Sequence, residues 1–289
     1  MRISEMHGRG RPIFSFEFFP PKSDEQVEPL LKTIADLKSA LQPDFVSVTN
    51  GAGGSTRART MQTVTRVQRE LGLTAMAHLT CVGVTQDDIC EELGTLVGQG
   101  IENILALRGD PPKGASGFQQ VEGGFAHACD LITYLEDNYQ VDIGAACYPE
   151  GHVESPSPEL DLQHTRLKVE AGALFLVTQL FFDNRDYFAF VERARSARIR
   201  VPIIPGIMPI TNVAQVERFT RMCGAKIPAE LGERLRAAGD DPAAVMAVGI
   251  EHAALQCRAL LEGGAPGLHF YTLNKSFATR SVLAAVRRV

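Results

Sequence analysis

Short apolar runs alternate with longer amphipathic ones from one end of the chain to the other. Runs rich in β-branched and apolar residues, bounded by Gly, Pro, Asn or Asp, read as strands. Eight fit, at 13–18, 44–49, 74–80, 103–108, 142–148, 173–179, 201–206 and 267–272. Helical periodicity fills 25–41, 57–71, 86–99, 126–139, 158–171 and 185–197. Ser157 ahead of Pro158 is an N-cap followed by proline at the first helical position, and Gly72, Gly100 and Gly172 stand where helices end.

Apolar strands alternating with helices imply a parallel sheet covered on both faces. Eight such units fit a closed (β/α)8 TIM barrel better than an open sheet, and the chain, 1–289, reads as a single catalytic barrel domain. The stretch 208–264 exceeds one crossover, so extra helices at 213–222, 228–237 and 242–261 are predicted between strands seven and eight.

Barrel chemistry gathers at the C-terminal ends of the strands. Those ends here carry Glu17, Thr49, His78, Arg108-Gly109-Asp110, Tyr148, Gln179, Gly206 and Tyr271. Glu17 is flanked by Phe16, Phe18 and Phe19, and Pro20-Pro21 stops its strand. Either it points to solvent from an edge strand, or it ends a central strand and faces a pocket with its pKa pushed upward by apolar surroundings. His78 is as readily a satisfied core histidine as a catalytic one. Gly109 and two prolines make a rigid loop around Asp110, which would position a carboxylate before a ligand arrives. Asp161, His164 and Lys168 lie along one helix face that is either solvated or in contact with a ligand. The loop 51–55 either lets backbone approach a ligand or is merely a flexible turn.

A net charge of −5 argues against nucleic acid or an anionic membrane as partner. No stretch reads as a signal peptide or a membrane span. Six scattered cysteines form neither a zinc site nor a disulfide framework, so a reducing cytoplasm is expected and no metal. The glycine run 51–56 lacks the last glycine of a dinucleotide fingerprint, and 109–114 has P-loop spacing without its lysine.

Several segments together resemble the methylenetetrahydrofolate reductase family in its short bacterial form. They are Phe14-Ser-Phe-Glu-Phe-Phe-Pro-Pro, Ser47-Val-Thr-Asn-Gly-Ala-Gly-Gly-Ser-Thr, Ala77-His-Leu-Thr-Cys and Leu105-Ala-Leu-Arg-Gly-Asp-Pro-Pro. Further on come Ala146-Cys-Tyr-Pro-Glu-Gly-His, Lys168-Val-Glu-Ala-Gly-Ala, Thr178-Gln-Leu-Phe-Phe-Asp, Ile204-Pro-Gly-Ile-Met-Pro and His269-Phe-Tyr-Thr-Leu-Asn-Lys275. The resemblance implies a barrel that holds non-covalent FAD at its C-terminal face. NADH and 5,10-methylenetetrahydrofolate would take turns beside the flavin in ping-pong hydride transfer, yielding 5-methyltetrahydrofolate for methionine synthesis.

By the same resemblance, Thr49, His78, Leu107, Arg108, Gly109, Asp110, Tyr148, His152, Asp161, His164 and Lys168 would line the FAD site. Glu17, Gln179, Gln215, Phe219, Tyr271 and Lys275 would meet folate, with Gln179 and Phe219 near nicotinamide. Glu17 would be the acid that protonates N10, and Asp110 the carboxylate that favours the iminium cation. A homo-oligomer is expected from the family alone. Lys275 stands where members of the family carry Arg, replacing a bidentate grip on the folate tail by a point charge. Asn50 stands where an aromatic is frequent, and no regulatory C-terminal domain is expected. Two other readings compete: a folate-binding barrel that transfers a methyl group to a corrinoid, and a flavin-binding module without folate activity.

Overall fold

Nine parallel strands follow one another around a barrel in the computed structural model, which describes residues 1–51, 56–111, 114 and 117–287. They are β1 (Ile13–Phe18), β2 (Phe45–Val48), β3 (Thr74–Thr80), β4 (Asn103–Leu107), β5 (Asp142–Cys147), β6 (Phe175–Thr178), β7 (Ile203–Ile204), β8 (Gly206–Ile207) and β9 (Gly267–Tyr271). The predicted seventh strand is divided at Pro205, which has no N–H to give a ladder. Its first half pairs with β6 and its second with β9, and β9 pairs with β1. The chain itself joins the two halves, so the ring closes at that point.

The helices are α1 (Ile3–His7), α2 (Val27–Leu41), α3 (Arg57–Leu71), α4 (Gln86–Gly98), α5 (Ala128–Asn138), α6 (Pro158–Glu170), α7 (Asn184–Ser196), α8 (Val213–Cys223), α9 (Ala229–Ala237), α10 (Pro242–Glu262) and α11 (Phe277–Arg287). Ser157 caps α6 as predicted, accepting from Leu160 N at 3.3 Å. The predicted C-terminal glycines Gly72, Gly100 and Gly172 all take positive φ. The sequence reading lacked α1 and α11. The first is too short to show a period; the second buries Ala278, Val282, Leu283 and Val286 at helical spacing. The glycine loop at 52–55, together with Pro112, lies outside the described residues.

Strand alternation separates two cores. Inside the ring lie Ile13, Phe45, Met76, Leu105, Phe175 and Ile204, with Ile3 and Met6 of α1 packed against them. α1 is held there because Ile3 N donates to Asn103 Oδ1 (2.9 Å) and Ser4 N to Asp142 Oδ2 (2.7 Å), both buried acceptors. Phe16 and Phe18 belong to the outer core between strands and helices. A third core, including Leu180, Met208, Ile210, Val216, Leu231 and Val245, joins the extra helices to the strand ends.

One expectation from the sequence is corrected here. α10 has an 18-residue window of mean hydropathy 1.3, long and apolar enough to cross a membrane. In this fold it packs against α7, α9 and α11 and buries Gly249, Ala253, Ala254, Cys257 and Leu260. Its apolar content serves the third core and the outer one together.

Gly249 sets how closely α10 approaches the barrel. A Cβ there would fall 1.9 Å from the Ile210 carbonyl oxygen, so α10 would have to move away. Helix propensity alone favours Ala over Gly by about 1 kcal/mol. Gly249→Ala should nonetheless destabilise, by about 1–3 kcal/mol, because overpacking against backbone outweighs it. Urea denaturation measures this; a midpoint equal to or above that of the parent chain would show that α10 is free to shift.

Candidate active site

Positions 13, 15 and 17 of β1 point into the ring, so the phenylalanines next to Glu17 in sequence do not surround it. Its carboxylate lies between two imidazoles instead. His78 Nε2, from β3, and His269 Nε2, from β9, each lie 3.3 Å from Glu17 Oε2. The Glu17 side chain is 13% exposed and that of His269 fully buried. Ser15 Oγ sits 2.7 Å from His269 Nδ1. One tautomer satisfies the chain: the Ser15 hydroxyl donates to Nδ1, and Nε2–H points at the carboxylate.

Two outcomes for Glu17 follow. It ends a central strand and faces the mouth, which excludes the edge-strand alternative. The upward pKa shift expected from apolar neighbours is overturned. Burial is the largest single effect and raises it, but attraction to His78, the hydrogen bond from His269 and attraction to His269 together hold it below the ordinary value. His269 was missed as a site residue, although it has the same inward parity as Tyr271 two positions later.

His78 is pushed down to about 4, chiefly by burial, with Glu17 opposing the shift and His269 adding to it. Its Nε2 lacks a partner with hydrogen-bond geometry, as do the buried Ser47 Oγ, Thr49 Oγ1 and Asn50 Oδ1 nearby on β2 and the turn after it. Asn50 Nδ2 donates to His78 O at 2.9 Å. Buried polar atoms are normally paired, so this cluster is suited to a polar ligand.

A second group is built on β4 and β5. Gly109, at φ +87°, is required there, since a Cβ would meet Val82 at 2.7 Å. Arg108 pairs with Glu154 at 2.6 Å and lies 5.0 Å from the Phe118 ring centroid. Tyr148 and His152 meet edge to face at 4.6 Å. Lys168 Nζ donates to Ala146 O at 2.5 Å and lies 5.8 Å from the Tyr148 ring. Burial lowers the Lys168 pKa and raises that of Asp161, each opposed by the other's charge. Asp161 is buried and Lys168 half-buried, so that helix face is not merely solvated; His164 and Asp110 are exposed, and Leu107 packs toward the inner core.

The third group faces the extra helices. Gln215 and Phe219 of α8 line one small cavity, and Tyr271 and Lys275 line another; Pro209, Thr211 and Leu273 border both. Tyr271 OH donates to Thr178 O at 2.6 Å, passing Gly206, where a Cβ would lie 2.6 Å from the tyrosine ring. Gln179 Oε1 accepts from Leu180 N at 2.9 Å. Leu273 and Asn274 both adopt positive φ, and the Asn274 amide bonds Phe19 N and O at 2.8 and 3.0 Å, which fixes the turn carrying exposed Lys275.

The histidine cluster makes stability depend on acid. His78 is lowered from 6.5 to about 4 on folding, so its contribution is complete above 6.5 and is lost as pH falls toward 4. Glu17, also lowered, loses its contribution in the same direction once pH falls below the ordinary value of 4.5. Stability should fall by about 3 kcal/mol across the histidine window, at about 1.4 kcal/mol per pKa unit. Denaturant titrations at several pH values should show this limb, and His78→Gln should flatten it. A limb that persists unchanged in the variant would assign it to other groups.

The comparisons with known proteins bear on this geometry. Residues 2–287 match the family described as methylenetetrahydrofolate reductase. The 5,10-methylenetetrahydrofolate reductase of Escherichia coli is 39% identical over 268 residues, which cover 93% of this chain and 88% of that protein. Methylenetetrahydrofolate reductase (NADH) 1 of Arabidopsis thaliana is 42% identical over 94% of this chain. The chain spans about half of that plant relative, 48% of its length. Among solved structures, a Clostridium thermocellum protein that binds two copies of 5-methyl-5,6,7,8-tetrahydrofolic acid superposes with a TM-score of 0.66 at 15% identity, covering 100% of this chain and 99% of that one. That likeness supports the TIM-barrel fold. With the family matched over nearly every residue and its strand-end groups gathered at one mouth, the chain belongs to the methylenetetrahydrofolate reductase family.

Proposed function

We propose that this chain reduces 5,10-methylenetetrahydrofolate to 5-methyltetrahydrofolate with NADH, using bound FAD and one shared site. The observation that carries the reading is Glu17, a mouth-facing carboxylate held between two imidazoles at the strand ends of a chain in this family. The relatives named above are reductases of that folate, and the plant one carries NADH in its name.

The residues present fit a flavin. Unpartnered Thr49 Oγ1 and His78 Nε2 supply polar contacts. Arg108, Tyr148, His152, Asp161 and Lys168 supply a half-buried charged and aromatic wall, with Gly109 letting the turn after Arg108 pack against Val82. Asp110 and His164 would reach the group from exposed positions, and Leu107 would border it. FAD, when bound, supplies the hydride relay between nicotinamide and the folate carbon.

The chain's own groups supply orientation and proton handling. Gln179, Gln215, Phe219 and Tyr271 would orient the folate, with Lys275 as a point charge for its tail. Opening the folate's methylene bridge needs a proton on the departing nitrogen, N10, and Glu17 stands at the mouth to deliver it. Glu17 rests ionised in the free chain, but a ligand that covers the mouth increases its burial. Burial is the effect that drives it toward protonation, so loading the proton would accompany folate binding. Asp110 would favour the cation that ring opening creates. All six cysteines are free, in keeping with work in a reducing cytoplasm. Assembly into a homo-oligomer remains part of the proposal.

A visible spectrum of the purified protein should show a flavin band that NADH bleaches and methylenetetrahydrofolate restores. A colourless protein would overturn the reading. Steady-state rates should give parallel double-reciprocal lines, and intersecting lines would refute a shared site.

Glu17→Gln should then separate the two halves. NADH bleaching needs no proton delivered to folate and should stay within about tenfold of the parent rate, while folate-dependent recovery falls by about 10²–10⁴. Stopped-flow measurement of each half decides it. An equal loss in both would make Glu17 a structural or flavin-tuning residue, and no loss in either would remove it from the chemistry.

A further inference from the structure

Helix α8 carries Gln215 and Phe219 at the barrel mouth, yet it is tied to the barrel by very little. Asn212 caps it from its own chain, with Oδ1 accepting from Gln215 N at 2.8 Å. Among the described residues, the segment 213–227 makes hydrogen bonds to only one group beyond Asn212: Lys226 N donates to the Glu150 carboxylate, at 3.0 Å to Oε1 and 3.3 Å to Oε2. Just before Lys226, Gly224 ends α8 at φ +78°, and its missing Cβ would have stood 2.7 Å from Val153 Cγ1.

Glu150 and Val153 belong to the loop after β5, the same loop that carries Tyr148 and His152. That loop is fixed independently of α8. Arg193 of α7 donates to Pro149 O at 3.4 Å, Glu154 pairs with Arg108, and His152 packs on Tyr148. One end of the tie is thus rigid and set by the proposed flavin wall. The other is the end of a helix with few other restraints.

We propose that Glu150 is a positioning residue: its carboxylate holds the end of α8 at the Lys226 amide, and so fixes Gln215 and Phe219 against the mouth for substrate binding. The proposal rests on the reading above, that folate binds between α8 and the strand ends. Glu150 never touches the reacting atoms; it acts through the helix.

The surroundings make this tie sensitive to pH near neutrality. Burial, the largest effect, raises Glu150 to about 7, and the negative charges of Asp186 and Asp183 at the start of α7 act in the same direction. The Lys226 amide and ammonium oppose them. Arg185 is paired with Asp183, the Cys223 thiol also senses Glu150, and Arg193 faces Asp186. Above that pH the carboxylate takes a charge-assisted hydrogen bond; below it a neutral carboxyl accepts one about half as strong. The helix is therefore held more tightly as pH rises through the Glu150 pKa.

The test uses the FAD-loaded full chain with Glu150→Ala, which removes the acceptor, and Glu150→Gln, which keeps an acceptor that does not titrate. Glu150→Ala should raise KM for methylenetetrahydrofolate at least about fivefold, with kcat and FAD content within about twofold of the parent, the pattern of lost positioning. In the parent, KM should rise as pH falls from roughly 8.5 to 6, while Glu150→Gln should give an intermediate KM without that step. The same step in Glu150→Gln, or an unchanged KM in Glu150→Ala, overturns the proposal. Hydrogen exchange of the peptide 220–228 supplies an arm that needs no turnover. Exchange should quicken at least about tenfold in Glu150→Ala. Unchanged exchange rejects the tie, whereas quickened exchange in a protein inactive on folate would reject the functional reading and leave the tie standing.

Discussion

A carboxylate inside a β-barrel has to be partnered, and the partners of Glu17 determine much of what surrounds it. An isolated buried charge is expensive enough that a group of this kind would ordinarily neutralise. Here two histidines from different strands face one oxygen, and Ser15 occupies the far nitrogen of one of them. This arrangement requires β9 to run beside β1 with His269 opposite Ser15, the register observed. It also requires β3, β2, β1 and β9 to lie side by side, the order observed, so that inward side chains of β3 and β9 both reach the one on β1. The polar cluster therefore depends on the order and register of four neighbouring strands.

Most of that ring was legible from apolar periodicity alone. β1, β3 and α3 have the boundaries that the pattern predicts, and the three extra helices lie where an overlong crossover placed them. Boundaries drifted where a residue fits both states, as at 173–174, which lie outside β6. The division of the seventh strand was not legible, because a proline between apolar residues looks like an interruption rather than a change of partner. α1 was hidden for a different reason: its stability comes from Asn103 and Asp142, 100 and 138 residues away in sequence from the groups they hold, and not from its own five residues.

The site divides in the same way. Strand-end position was readable, and Glu17, His78, Tyr148 and Tyr271 follow from it. The electrostatic environment was not readable, because neighbours along a strand face opposite sides and the true neighbours come from other strands. Phe16 and Phe18 suggested an apolar pocket; the pocket contains imidazoles. His269 shows how a site residue can escape notice within a recognisable motif. Its role depends on inward parity and on facing Ser15, and neither is visible until β1 and β9 are placed side by side.

The mouth joins parts of unequal rigidity. On one side the strand ends are locked by continuous ladders and by side chains that reach between strands, such as Tyr271 to Thr178. On the other, α8 to α10 share a small core with the strand ends; α10 is also tied there by hydrogen bonds, Gln256 Nε2 to Phe181 O and His252 Nε2 with Phe182 O, both at 3.0 Å, whereas α8 meets the barrel mainly through apolar packing. Packing of that kind fixes distance well but direction poorly, because it is not directional, whereas a hydrogen bond constrains both. Under the proposed function, a site that receives two chemically different substrates in turn would benefit from this division. The rigid strand ends can keep the reacting groups in place while one loosely tied helix adapts to each occupant. The most adaptable residues of the site are then expected on α8, and the least adaptable are the buried Ser15, Glu17 and His269, which meet inside the ring.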